Sequence, residues 1–216
     1  GAEVNSVAAS HGLVAVAIEA DPKTDNGFVA LYQASDLTLL GSEEVGAQPD
    51  MVAFTPDGTR VLTANEGEPS DDYQTDPDGS ISIVDFSDPA NPVVSTADFT
   101  DYNGEEDALR SQGVRIYGPD ASASQDLEPE YIAVSADGAT AWVTLQENNA
   151  LAIIDIATAS VTDIVTLGET DRSIAGNGID ASDDDEVIDI KTFAGVVGLY
   201  LPDSIHGYTV NGKTYL

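Results

Sequence analysis

Three observations predict an all-β chain, a β-propeller with four-stranded antiparallel blades, present as an incomplete fragment of about three and a half blades. The stretch PDMVAFTPDGTRVLTANE from Pro49 returns as PEYIAVSADGATAWVTLQE from Pro129. Between turn signals, β-branched and aromatic residues cluster in short runs. The turns themselves are well formed: in Thr55-Pro56-Asp57-Gly58, Pro presets φ, Asp accepts a local hydrogen bond and Gly takes the left-handed position. A β-sandwich with accidental self-similarity is the alternative, and repeats in register argue against it.

The elements follow in order. VNSVAASHGLVAVAIE from Val4 is a third copy, with its turn ending at Gly12, and PDSIHGYTVNGKTYL from Pro202 matches the first half of a fourth. Within the second unit the strands read A over Met51–Thr55, B over Arg60–Asn65, C over Ser80–Phe86 and D over Val93–Phe99. Strand C recurs as Gly27-Phe28-Val29-Ala30-Leu31-Tyr32 and as Ala150-Leu151-Ala152-Ile153-Ile154-Asp155. The A–B turn recurs as Ser135-Ala136-Asp137-Gly138 and Thr209-Val210-Asn211-Gly212. Blades therefore run approximately over 4–45, 51–99 and 131–167, with a partial blade at 204–216, and no helix is required. Because propellers close with roughly four to eight blades, the remaining blades are expected as a continuation or a separate chain.

Charge narrows the setting. Thirty-nine acidic residues face seven basic ones, three of them lysine, for a formal charge of −32. Such a surface repels nucleic acid and anionic membranes and attracts cations, as a solvated coat suited to halophilic or marine surroundings, as specific calcium sites, or as both. The absence of cysteine excludes disulfides, thiolate metal sites and a cysteine nucleophile. No apolar run approaches the ~20 residues needed to span a bilayer, so no membrane insertion by this segment is expected.

In a four-stranded meander the A–B and C–D connections lie on one side, and the B–C and D-to-A connections on the other. Every long insertion, at 66–79, 100–128 and 168–201, belongs to the second set. Long loops on one rigid face are where binding or catalysis is expected. Carboxylates recur on that face: strand B ends in Glu19, Glu66 and Glu147, and strand A is preceded by Asp50, Glu130 and Asp203, with Asn5 in the first unit. Acids brought together must hold protons, pair with cations or bind metal; alternatively each caps a turn. Hard oxygen ligands without thiol favour calcium, with magnesium as the other candidate. The 66–79 loop adds Asp71 and Asp72 among six acids in fourteen residues. The run Asp180-Ala181-Ser182-Asp183-Asp184-Asp185-Glu186-Val187-Ile188-Asp189 fails as an EF-hand, with Asp185 at the glycine position and Lys191 in place of the bidentate glutamate. It is read only as an irregular cation site.

Signals for catalysis are thin. His11 and His206 cannot build a multi-histidine zinc centre, and no G-x-S-x-G or P-loop occurs. His11 reads as a turn residue, His206 as part of strand A of the partial blade, and Trp142 as core. Arg115 and Arg172, in long loops, are the candidates for holding an anion beside a metal.

The stretches PDMVAFTPDGTRVLTANEGEPSDDY, GVRIYGPDASASQDLEPEYIAVSADG and VTLQENNALAIIDIATASVTDI closely resemble the choice-of-anchor I domain, itself similar to mesenchyme-specific cell-surface glycoproteins and described as alkaline phosphatase-like. The resemblance implies a secreted, periplasmic or cell-surface-anchored propeller. Two functions are carried forward: a calcium-binding protein with a binding or matrix role, and a calcium-dependent phosphoesterase of alkaline phosphatase or phytase type, using Glu66, Glu147 and an arginine.

Overall fold

The computed structural model describes residues 2–182 and 184–216. Three four-stranded antiparallel sheets follow one another along the chain. The first is β1 (Glu3–Ser10), β2 (Leu13–Glu19), β3 (Asn26–Gln33) and β4 (Leu39–Ala47); the second is β5 (Pro49–Phe54), β6 (Arg60–Asn65), β7 (Ser80–Asp85) and β8 (Val93–Asp98). The third is β9 (Pro129–Val134), β10 (Thr140–Leu145), β11 (Ala150–Asp155) and β12 (Ser160–Thr166). In each, chain order equals spatial order, and the first strands β1, β5 and β9 lie side by side. These are successive propeller blades.

The cores lie between blades. Ala15, Leu31, Val52, Val61, Val84 and Phe86 close the first junction. Leu62, Ile81, Phe99, Val143, Leu145 and Ile154 close the second. Val61 and Leu62 are neighbours in sequence yet serve different cores, because successive residues of a strand point to opposite faces. The middle blade is thus covered on both sides, and β6 reads as a nearly unbroken buried run. Each such aliphatic side chain contributes roughly 1.5–3 kcal/mol.

The A–B turns are closed by local hydrogen bonds. Thr55 Oγ1 donates to Asp57 Oδ1 (2.6 Å), the Thr59 amide donates to the same oxygen (3.1 Å), and Gly58 has φ 72°. Ser135, Asp137, Ala139 and Gly138 reproduce that arrangement. The other hairpins differ from the sequence reading: Ser10 pairs with Leu13 across His11-Gly12, and Val210 with Lys213 across Asn211-Gly212, so each turn has two residues.

Two further corrections concern the insertions. Helices do form: α1 (Glu106–Gln112) and α2 (Ala123–Asp126), both between β8 and β9. The segment Glu105 to Gly113 carries acids in its first turn, Arg110 in its last and a left-handed glycine stop, while Leu109 drops into the second core. Ser122 and Gln125 form a capping box on α2. The 168–201 insertion folds back on itself through β13 (Glu169–Asp171) and β14 (Val197–Leu199). The fourth unit contributes the hairpin β15 (Tyr208–Val210) and β16 (Lys213–Tyr215); His206 precedes β15 rather than lying in a strand, and is exposed. Trp142 is half-buried on β10. Asp183 lies outside the described residues.

Candidate functional site

The face carrying the B–C and D-to-A connections holds a cleft of about 500 Å³, walled by Glu68, Asp71, Asp76, Tyr117, Glu128 and Glu147, with Lys23 at its edge. Local structure fixes each wall. The 66–79 loop is stitched to α2: Ser124 Oγ donates to Asp78 Oδ1 (2.8 Å), Gln125 Nε2 to the Asp76 carbonyl (2.9 Å) and the Gly79 amide to the Ser124 carbonyl (2.9 Å). Gly79 sits so near Leu127 that a Cβ would stand 2.0 Å from its carbonyl oxygen. Buried Asn148 braces the opposite wall, donating to the Arg115 (2.9 Å) and Asp126 (2.6 Å) carbonyls and accepting from the Glu128 amide (3.2 Å). The Asp126 carboxylate is occupied by the Tyr117 and Gly118 amides.

The sheet registers decide which acids are equivalent. In each of β1, β5 and β9 a register break falls near the start of the strand, and Asn5, Asp50 and Glu130 sit there. Pairing of Ile18 with Val4, Asn65 with Pro49 and Leu145 with Pro129 places Glu19, Glu66 and Gln146 at the next position. Glu147, read from sequence as the third of these acids at the end of strand B, is one residue beyond that position. The difference matters chemically. With its amide nitrogen turned toward Glu130, Gln146 donates to both carboxylate oxygens (2.8 and 2.6 Å), whereas Glu147 accepts from Arg115 Nη1 at 3.1 Å.

Electrostatics brings most of the named acids together. Burial, then Glu68, Asp50, Glu130 and Glu128, push the Glu66 carboxyl up to about 9. Burial, Asp203, Asp50, Glu147 and Glu128 push Glu130 up to about 8. Asp50 is raised by burial and by Asp203, Glu19 and Glu68. Glu19, Asp50, Glu66, Glu130, Glu147 and Asp203 therefore lie within electrostatic reach of one another or of a shared neighbour. Asp71 lines the cleft. Asp72 does not join them: it accepts from Ser70 Oγ (2.9 Å) and the Gln74 amide (3.2 Å), and those bonds hold it below its usual range.

Of the two arginines, Arg115 reaches the cleft, its guanidinium 3.8 Å above the Tyr117 ring and paired with Glu147. Arg172 stays in its own insertion, donating to the Asn177 carbonyl (3.3 Å) and lying against Gly198. In the Asp180 loop, Asp180 caps turns through the Ser182 (3.4 Å) and Asp189 (3.1 Å) amides.

Three participants, Glu128, Gln48 and Lys23, escaped the sequence reading, and Glu68 entered it only as one acid of the 66–79 loop. Glu128 is buried, bonded by the Tyr117 hydroxyl (3.3 Å) and pushed up to about 7 by burial, Glu68 and Asp126. Gln48 donates through Nε2 to Glu66 (2.6 Å) and Glu68 (3.0 Å). Lys23 pairs with Glu68. Burial raises the Glu68 carboxyl, but these hydrogen bonds outweigh it and hold the group below its ordinary value. A signal existed for two of them: Gln48-Pro49-Asp50 and Glu128-Pro129-Glu130 match residue for residue around the proline. Among the described residues no three or more acid or histidine side chains form a ready-made metal cage. Glu66, Glu68, Glu128 and Glu130 carry oxygen atoms of the hard type that calcium takes, while Gln48 turns its nitrogen toward Glu66 and Glu68.

The sequence profile of the choice-of-anchor I domain matches residues 1–216. The chain belongs to the choice-of-anchor I domain family. A comparison with curated protein sequences gives no match. Among solved structures, the β-propeller domain of Cps50 (Swd1) from Myceliophteria thermophila aligns with TM-score 0.50 and 11% identity, over 77% of this chain and 44% of that one. Hydrazine synthase of Kuenenia stuttgartiensis gives TM-score 0.45 and 10% identity over 70% and 39%. A mitotic checkpoint complex chain gives 0.47 and 15% over 77% and 39%. The chain thus spans less than half the length of these matched chains. Likeness to the Cps50 domain concerns the fold alone, and with the family match it makes this a propeller domain of a surface-type protein. No helix among the described residues is long and apolar enough to cross a membrane.

Proposed function

We propose that this choice-of-anchor propeller is a secreted or cell-surface calcium-binding protein with a binding or matrix role, acting through its acidic loop face. The observation that carries the reading is the convergence of Asp50, Glu66, Glu68, Glu128 and Glu130 from two blade junctions onto one mouth, with Lys23 and Arg115 as the nearby cations. Half-buried carboxylates that face one another without enough cations bind a proton or a metal. Calcium suits loops that can adjust better than magnesium, which demands near-ideal octahedral geometry. Further blades of the same protein would cover the exposed Val4, Val7 and Phe28 of the first blade.

The phosphoesterase alternative needs an arginine free to meet phosphate. Arg172 lies away from the cleft and Arg115 is engaged with Glu147 and Tyr117, which favours binding over catalysis.

The test is calorimetric titration of the full-length protein with calcium and with magnesium, alongside hydrolysis of p-nitrophenyl phosphate and phytate. The expected result is calcium binding at millimolar or lower concentration without chelator-sensitive turnover. Turnover abolished by chelation would replace this reading with the enzymatic one; absence of any calcium heat would remove both.

A further inference from the structure

Where the first two blades meet, Gln48 is 8% exposed in the left-handed backbone region (φ 50°), joined to Glu66 twice. Its carbonyl accepts from the Glu66 amide (2.9 Å), and its side-chain nitrogen donates to Glu66 (2.6 Å) and Glu68 (3.0 Å). The other end of that amide, Oε1, is buried with no hydrogen-bond partner among the described residues. An orphaned buried acceptor costs roughly 1–3 kcal/mol. Turned end for end, the same amide would present an oxygen to the two carboxylates, and a cation between them, or a proton on one of them, would offset the repulsion.

A cation is already at this corner. Lys23, reaching over from the β2–β3 connection, sets its ammonium on the Glu68 oxygen that Gln48 also touches, with Glu66 and Asp71 within electrostatic reach. One ammonium against Glu66 and Glu68 leaves a net negative corner once both are ionised; a divalent ion would neutralise it.

We infer that Gln48, Glu66 and Glu68 form a discrete divalent-cation site, and that Lys23 is a tethered stand-in that calcium must displace. This rests on the calcium reading of the loop face and adds a location and a built-in competitor. The ion takes the Gln48 amide oxygen and the Glu66 and Glu68 carboxylates, and Lys23 swings into solvent. Lys23 thereby sets the affinity, so that calcium is held only where its concentration is high.

The experiment is calcium titration of the full-length protein, by calorimetry and by thermal melting, for wild type, Lys23→Met, Lys23→Arg, Glu68→Gln and the turn-face control Asp137→Asn. Lys23→Met is expected to tighten calcium binding about tenfold, a change of about 1.4 kcal/mol. Lys23→Arg should stay near wild type, because the competing charge remains. Glu68→Gln should weaken binding at least about tenfold, and Asp137→Asn should leave it unchanged. Wild-type binding with Lys23→Met and Glu68→Gln both within twofold would overturn this site while leaving the loop-face reading intact. Weaker binding in Lys23→Met would make Lys23 a support rather than a competitor, and would also overturn it. No calcium binding by wild type or Lys23→Met would overturn the loop-face reading itself.

Discussion

The two ends of the blades treat the same residue type in opposite ways. On the turn face each acid serves its own turn: Asp57 and Asp137 accept from a hydroxyl and a backbone amide two residues away on either side, Asp85 accepts from the Ser87 amide, and all three carboxyls lie below their ordinary value. At the loop face Asp50, Glu66, Glu128 and Glu130 are raised, first by burial and then by neighbouring carboxylates. A net charge of −32 is therefore not one property. Part of it is turn chemistry with the charge exposed to water, where it is stabilised; another part, at Asp50, Glu66, Glu128 and Glu130, is crowded and half-buried, and that part is poised to respond to a cation.

The contrast can be broken most forcefully at the junction that holds the loop face in shape. Gly79→Ala would drive a Cβ against the Leu127 carbonyl, which belongs to backbone and cannot swing away. A loss of about 3 kcal/mol in urea denaturation is expected, at the upper end for overpacking. A loss under about 1 kcal/mol would mean the two insertions are not tightly joined there.

A subtler change should separate the faces by pH. Between 4.5 and the raised value of about 9, the folded chain holds a proton on Glu66 that the unfolded chain has released. Stability contributed by such a group is present at low pH and declines as pH rises through that window. Metal-free protein should melt several degrees lower at pH 8.5 than at pH 6, with about 2–4 °C for each kcal/mol in a chain of this size. Calcium should remove most of that difference, since it binds the folded state. Glu66→Gln, which cannot ionise, should melt higher than wild type at pH 8.5 and lose much of the calcium response. Equal melting temperatures at both pH values would show that the loop-face acids are not under strain.

The smallest effect belongs to the turn face. Asp137→Asn keeps an acceptor but loses the charge, and should lower the melting temperature only slightly, with an unchanged calcium response. A calcium response that fell with this variant would erase the distinction between the faces.

How far the sequence carried depends on the range of the interactions involved. Thr55-Pro56-Asp57-Gly58 announces its fold because the hydrogen bonds that close the turn are made within five residues, and so the β-rich repeat was legible. Convergence of acids on one side was legible too, since blade connectivity alone sorts the loops. Glu147 was misplaced because the third unit runs Leu145-Gln146-Glu147 where the second ends Asn65-Glu66, and only strand pairing reveals the extra residue. Helix α1 was overlooked although Gly113 marks its stop; a single buried Leu109 gives little periodicity. Lys23 and Glu68 come together across forty-five residues through packing of the first blade on the second, which no local pattern encodes.

The most direct test is a carbon-detected NMR titration of glutamate carboxyls in the metal-free protein, repeated with saturating calcium. Without metal, Glu66, Glu130 and Glu128 should titrate near 9, 8 and 7; with calcium those at the ion should move down toward the ordinary range. If all three titrate near 4.5 in the metal-free protein, the carboxylates of the loop face are independent and solvated, and the account is wrong.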